Sequence, residues 1–192
     1  MDFITENRNG IYTIKYHPYL EQFLNELNVI VSSTPYEIKF KAKEIENLNK
    51  LNILFLENFI YDIGSQILLL KKSNNGVLYF SLSDIVIINS NHFLFINPNI
   101  IYPLSSHKTM TITDEKSIIL ENNDDKKFIA PELEKIISFP AEIYYTSSFY
   151  SLASLIFYVF NITLENIYYT KSYYFLLRCL DLNPNNRIFL YV

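Results

Sequence analysis

Between Ile45 and Lys72 the sequence reads as one helix. Leu51, Leu54, Phe55, Asn58, Phe59, Asp62, Ile63, Gln66, Ile67 and Leu70 recur at three- and four-residue intervals. A helix this long with one apolar side must bury that side, so it sets the core around which the rest packs. Gly64 lies inside it, at a cost of roughly 1 kcal/mol against alanine, which close packing on a neighbouring helix would explain. Ser73-Asn74-Asn75-Gly76 ends it, with Gly76 able to take the left-handed cap conformation. Short apolar strands follow at Val77–Phe80, Ile85–Ile88 and Phe93–Ile96. Asn89-Ser90-Asn91 between the last two is hairpin turn chemistry.

Before the helix, Ile11–Tyr16 and Tyr36–Phe40 alternate as strands do. Tyr19, Phe23, Leu24 and Leu27, with Val29 and Ile30 beyond, sit close to helical spacing. After the hairpin, residues 97–127 read as loop with one strand at Ser117–Leu120, and Asn122–Lys127 as an exposed polar loop. Ser147 or Ser148 caps an apolar helix running to about Phe160, and a further helix covers about Ser172 to Leu180.

Composition excludes several function classes. With 49% hydrophobic residues and a mean hydropathy of +0.09, the chain has the material for a sizeable core. A net charge of −4 argues against a general nucleic-acid binder. The densest basic stretch, Lys39-Phe40-Lys41-Ala42-Lys43, is followed by Glu44 and Glu46 and reads as a solvated edge. The one cysteine, Cys179, lies in an apolar run, fits a reducing compartment and reads as an inert buried thiol. The polar start Met1–Asn7 lacks the pattern of a signal peptide. Phe149–Phe160, the most apolar stretch, falls short of the ~20 residues that span a bilayer. No transmembrane segment, no membrane partner and a cytoplasmic location are therefore expected. His17, His92 and His107 are too scattered for a metal site. Heavy use of Asn, Ile, Tyr, Phe and Lys matches AT-rich coding, as in a large DNA virus or an intracellular parasite.

Three segments in the last third then carry a resemblance. Phe128-Ile129-Ala130-Pro131-Glu132-Leu133 precedes Ser148-Phe149-Tyr150-Ser151-Leu152-Ala153, and Leu182-Asn183-Pro184-Asn185-Asn186-Arg187 closes the series. In order and rough spacing they resemble the Ala-Pro-Glu turn, the start of the central buried helix and the late arginine of the protein-kinase family. The resemblance runs from about Leu51 to Leu190. It implies an α+β, kinase-like fold: a mainly helical large lobe over residues 51–192, and a strongly reduced N-terminal lobe or appendage over residues 1–50. It also implies a buried ion pair between Glu132 and Arg187, and makes Ser148 the helix-start position that is usually Asp.

The same resemblance locates where chemistry should be. The family's His-Arg-Asp-Leu falls on Tyr79, Phe80, Ser81 and Leu82, and a serine hydroxyl lacks the basicity of a carboxylate near neutral pH. The metal-holding asparagine falls near Asp84, and the metal-bridging Asp-Phe-Gly falls on Asn97-Pro98-Asn99. Three glycines at positions 10, 64 and 76 cannot form a glycine-rich nucleotide loop. Lys15 with Glu21 or Glu26 is the candidate for the lysine–glutamate pair. Lys15, Glu26 and Asp84 are thus the candidates for residual nucleotide or metal contacts; Tyr79, Phe80, Ser81 and Asn97 are degenerate catalytic positions. Ser105, Ser106, Thr109, Thr111 and Thr113 stand where an activation segment would lie, and Tyr144-Tyr145 and Tyr168-Tyr169 are tyrosine pairs of the kind used at interfaces.

The expectation is a catalytically inactive kinase-like protein, without cofactor or metal, acting as a scaffold or interaction module for a protein partner. Two rivals stand beside it: a divergent nucleotide-dependent phosphotransferase, and a structural subunit of a larger assembly.

Overall fold

The structure, a computed structural model, describes residues 3–114 and 123–191; the strand expected at Ser117–Leu120 lies outside the described residues. Among these residues the fold is mixed, with four α-helices and eleven short strands in four small sheets.

The first sheet has the order β1-β2-β4-β3, built from β1 (Ile4–Glu6), β2 (Ile11–Lys15), β3 (Ile30–Ser33) and β4 (Glu37–Lys41), all antiparallel. Helix α1 (Pro18–Glu26) connects β2 to β3 and buries Tyr19, Leu20, Phe23 and Leu24. Alternation works as expected in β2 and β4: Tyr12, Ile14, Ile38 and Phe40 are buried, while their neighbours face outward. Val29 and Ile30 do not extend the helix. Asn28 turns left-handed at φ 55° and directs the chain into β3, which is short and mostly exposed and so gives little alternation to read.

The reading of Ile45–Lys72 as one helix is corrected at its front. Ile45–Asn47 is β5, paired with β7, and a single 3-10 turn at Ile53–Phe55 precedes α2 (Leu56–Lys72). The early leucines fit a helical spacing by chance, because Leu48 is buried while Ile53 and Leu54 are exposed. By length and composition Ile53–Lys72 is apolar enough to cross a membrane. Here α2 is a core helix, with Phe59, Ile60, Ile63, Ile67 and Leu70 buried, which is compatible with a soluble protein.

Two polar residues on α2 hold β8 (His92–Phe95) in place. The Asp62 carboxylate accepts the Phe93 N–H at 2.9 Å. Gln66, 1% exposed, accepts the Phe95 N–H at 2.9 Å and donates to the Phe93 carbonyl at 2.8 Å. They satisfy an edge strand's backbone, which cannot be left unpaired in a core.

The end of α2 differs from expectation. Asn74, at φ 58°, takes the left-handed turn. Gly76 lies in β6 (Asn75–Val77), where a Cβ would come 2.7 Å from Met110 Sδ and 3.1 Å from Tyr145 Cβ. It is glycine for want of space. Gly64 is also crowded, though not by a helix: its Cβ would come 2.7 Å from the Phe189 ring in the C-terminal segment.

β7 (Ile85–Ile88) and β8 form the expected hairpin in the order β5-β7-β8. β6 pairs with β9 (Ile101–Pro103), and β10 (Thr109–Ile112) with β11 (Ala141–Tyr144). Asn123–Phe128 forms a 3-10 helix, where a loop was expected. α3 (Ser147–Phe160) is the buried central helix and α4 (Lys171–Cys179) lies against it. Ser147 and Ser148 are its first helical residues and not its cap, a place that falls to Thr146.

Candidate functional site

Two polar clusters lie where the sequence places its site residues. The first surrounds the degenerate catalytic positions. Tyr79, Phe80 and Ser81 are buried, and Ser81 begins a 3-10 turn over Leu82–Asp84 closed by a capping box. The Asp84 carboxylate, 3% exposed, accepts the Ser81 N–H at 2.8 Å on Oδ2. Its Oδ1 accepts from Asn97 Nδ2 at 2.7 Å. Asn97 in turn caps the next 3-10 turn, Pro98–Ile100, by accepting the Asn99 N–H at 3.0 Å. The two positions assigned to a metal ion are therefore brought together, but each side chain is engaged in closing a turn.

Aromatic rings fill the space beside this cluster. Tyr19 on α1 donates its hydroxyl to the Phe95 carbonyl at 2.9 Å. Its ring stacks 5.9 Å from Phe95, which meets Phe80 edge-on at 5.3 Å. Burial, reinforced by the Asp84 charge, pushes the Tyr19 hydroxyl well above its ordinary range, so it stays a neutral donor. α1 is pinned to β8 through packed rings.

Lys15 and Glu26 are not brought together. Alternation along β2 puts Lys15 on the outer face with Ile11 and Thr13, opposite buried Tyr12 and Ile14. Glu26 is exposed on α1 and accepts from Gln22 at 3.4 Å, while Glu21 accepts from the Tyr16 hydroxyl at 3.1 Å.

The second cluster joins the Ala130-Pro131-Glu132 turn to the end of the chain. Arg187 has no exposed side-chain surface; Glu132 keeps 23% of its own. The guanidinium grips both carboxylate oxygens, with Nη1 to Oε1 and Nη2 to Oε2, the latter at 2.9 Å. Its Nε donates to the Asp181 carbonyl at 2.7 Å and Nη1 reaches the Thr146 carbonyl at 3.5 Å. Ser147 donates to Glu132 Oε1 at 2.6 Å, and the Tyr150 ring lies 5.1 Å from the guanidinium. Burial by itself would raise the Glu132 carboxyl. The hydrogen bonds from Arg187 and Ser147, its own backbone N–H and the Arg187 charge outweigh that and hold it below its ordinary value.

One serine connects the central helix to the first cluster. Ser151, fully buried, accepts the Phe80 N–H at 2.8 Å and donates back to the Phe80 carbonyl at 3.1 Å. Ser148, the helix-start position of the resemblance, donates its hydroxyl locally to the Tyr145 carbonyl at 2.8 Å. The missed signal was a serine in the middle of an apolar helix, where a buried hydroxyl requires a partner. Asp62 and Gln66, polar residues inside the apolar stripe of α2, gave the same signal.

The remaining candidates are placed as follows. Ser105, Ser106 and Thr109 hydrogen-bond to one another around a turn, and Thr111 pairs opposite Glu142. Tyr168 and Tyr169 are exposed, while Lys71 covers Tyr145 at 4.7 Å from the ring centre. Burial pushes the Cys179 thiol up to about 12, partly offset by Arg178 and Arg187, which suits an inert thiol. Among the described residues no three His, Cys, Asp or Glu side chains gather as metal ligands.

No protein-family model matches the sequence, and no curated protein sequence matches it. Solved structures do match, 179 chains in all. One is the twitchin kinase region from C. elegans, a chain with Fn31, NL, kin, CRD and Ig26 segments, at 12% identity and a TM-score of 0.55. The match covers 96% of this chain and 40% of that one. The likeness is one of fold, and partial: a kinase-like arrangement in a chain that spans well under half of its counterpart.

Proposed function

We propose that this chain is a kinase-like protein that does not transfer phosphate and that serves as a protein-interaction module. On this reading residues 1–50 are a reduced N-terminal lobe and residues 51–192 a kinase-like large lobe. The observation that carries it is the engagement of Asp84 and Asn97 with each other and with the turns they cap. Each Asp84 oxygen accepts an N–H bond within the fold, and at 3% exposure the carboxylate faces little solvent from which a hydrated cation would reach it. Ser81 in place of a catalytic aspartate, and Lys15 on the outer face, support the same reading. The residue bias of AT-rich coding supports a viral or intracellular-parasite source, and an intracellular site of action goes with it.

The test is phosphoryl transfer from γ-labelled ATP, to the chain itself and to a generic acceptor protein, with magnesium or manganese. No incorporation above a blank is expected. The juxtaposition of Asp84 and Asn97, a carboxylate beside an amide, favours the divergent phosphotransferase as the second reading. Incorporation abolished by Asp84→Ala would establish it in place of the first.

A further inference from the structure

The outer edge of the first sheet holds a cavity of about 600 Å³, within the size range of binding sites. Lys41 and Lys43 line it, together with Asn9, Asn28 and Asn89 and the β3 residue Val31. Its rim is built from four of the eight left-handed residues among those described: Asn9 at φ 63°, Gly10 at 68°, Asn28 at 55° and Asn89 at 51°. Backbone bonds lock these turns to the strand end between them. Ala42 N–H donates to the Gly10 carbonyl at 3.0 Å, and Lys41 N–H to the Val29 carbonyl at 2.8 Å. Lys43 N–H donates to Asn89 Oδ1 at 2.7 Å. A Cβ on Gly10 would stand 2.8 Å from the Ala42 oxygen, so glycine permits that approach.

The chemistry of the lining selects an anion. Lys41 and Lys43 are exposed and form no ion pair with a described residue, whereas Lys39 is paired with Glu37 at 3.0 Å. Glu44 and Glu46, next along the chain, do not line the cavity, and the Glu44 carboxylate accepts from Ser90. The chain as a whole carries −4, so a basic cavity is a local exception that opposes its general charge. The apolar part of the lining, with Val31 55% exposed on an edge strand, fits a ligand that alternates apolar with acidic groups better than a bare anion.

We infer that this cavity docks an acidic peptide segment of a partner protein, with carboxylates on Lys41 and Lys43 and an apolar side chain over Val31. The partner chemistry rests on the interaction-module reading, but the test does not depend on ATP. The full chain is used to select from a phage-displayed random dodecapeptide library, and the winners are measured by fluorescence anisotropy. The expected outcome is enrichment of Asp and Glu among winners, affinity falling as salt is raised, and at least a tenfold loss on K41E/K43E. Both substitutions are at exposed positions, and an unchanged thermal melt confirms folding; Lys71→Glu serves as the charge control and should bind as the parent does. Winners without acidic enrichment, no winners at all, or equal binding to K41E/K43E would overturn the inference. So would inorganic phosphate displacing the winners at concentrations matching their own, which would make the cavity a simple anion site. Failure here with no ATP-dependent activity removes the docking cavity alone; ATP-dependent transfer removes the interaction-module reading whatever the peptides do.

Discussion

The two polar clusters of this molecule are built from similar parts and do opposite things. Around Glu132 and Arg187, opposite charges 55 residues apart meet across the fold and gather further bonds from Ser147 and from backbone carbonyls of two other segments. Around Asp84 and Asn97 the bonds span 2, 3 and 13 residues: the two shorter ones each close a turn, and the third joins those turns across the base of the β7–β8 hairpin. The Glu132–Arg187 cluster ties distant pieces of the chain into one body. The Asp84–Asn97 cluster holds two neighbouring turns in shape and to each other. Bonds between distant segments and bonds between neighbouring turns thus serve stability over different ranges of the chain.

Substitutions can break that contrast. Arg187→Ala should have the largest effect, because it strands a half-buried carboxylate and removes donors from two carbonyls. A loss of about 3–5 kcal/mol is expected in urea denaturation, with Glu132→Ala of the same order. Ser151→Ala should follow. It leaves the buried Phe80 N–H and carbonyl without their partner, at about 1–3 kcal/mol, while Ser148→Ala costs less because its bond lies within one turn of the same segment. If the two serines cost the same, the tie between α3 and the first cluster carries no weight.

Asp84→Ala should be smaller again, at about 1–2 kcal/mol, the range of a lost cap. Asp84→Asn should recover part of it. An Asp84→Ala chain as stable as the parent would break the contrast, since a carboxylate kept for chemistry and not for the fold behaves that way.

The smallest effect is in pH dependence. The Glu132 carboxyl is held below its ordinary value of 4.5 when folded. Its contribution is therefore fully present above the unfolded value and is lost as pH falls through the folded one. The parent should lose stability on acidification below about pH 4.5 more steeply than Glu132→Gln, once both are normalised at neutral pH. Asp62, raised mainly by burial, works in the opposite sense and blunts the slope. Chemical denaturation at stepped pH values would show it.

What was legible in the sequence follows the range of the forces involved. α3, α4, β2, β4 and the β7–β8 hairpin have strong apolar periods and declared themselves. β5 did not, because Ile45–Asn47 sits just ahead of leucines whose spacing mimics a helix. Gly76 looked like a cap, yet it is glycine because Met110 on β10 and Tyr145 just past β11 press on it. Glu132 and Arg187 were legible only through family resemblance; nothing local in either segment points to the other. The Asp84–Asn97 bond and the Ser151–Phe80 bond were not legible, since each depends on where the fold brings two loops together. Lys15 was placed correctly on a strand, and its outward face follows from the same alternation.

On the proposed reading the Asp84–Asn97 cluster is a structural cap beside packed rings and binds no nucleotide. Thermal unfolding of the full chain with millimolar ATP, with and without magnesium, addresses it directly. A ligand held at a hundred times its dissociation constant would add about 2.7 kcal/mol and shift the melting point visibly. The same melting point is expected in every condition; a magnesium-dependent rise that Asp84→Ala removes would show that the cluster holds a nucleotide.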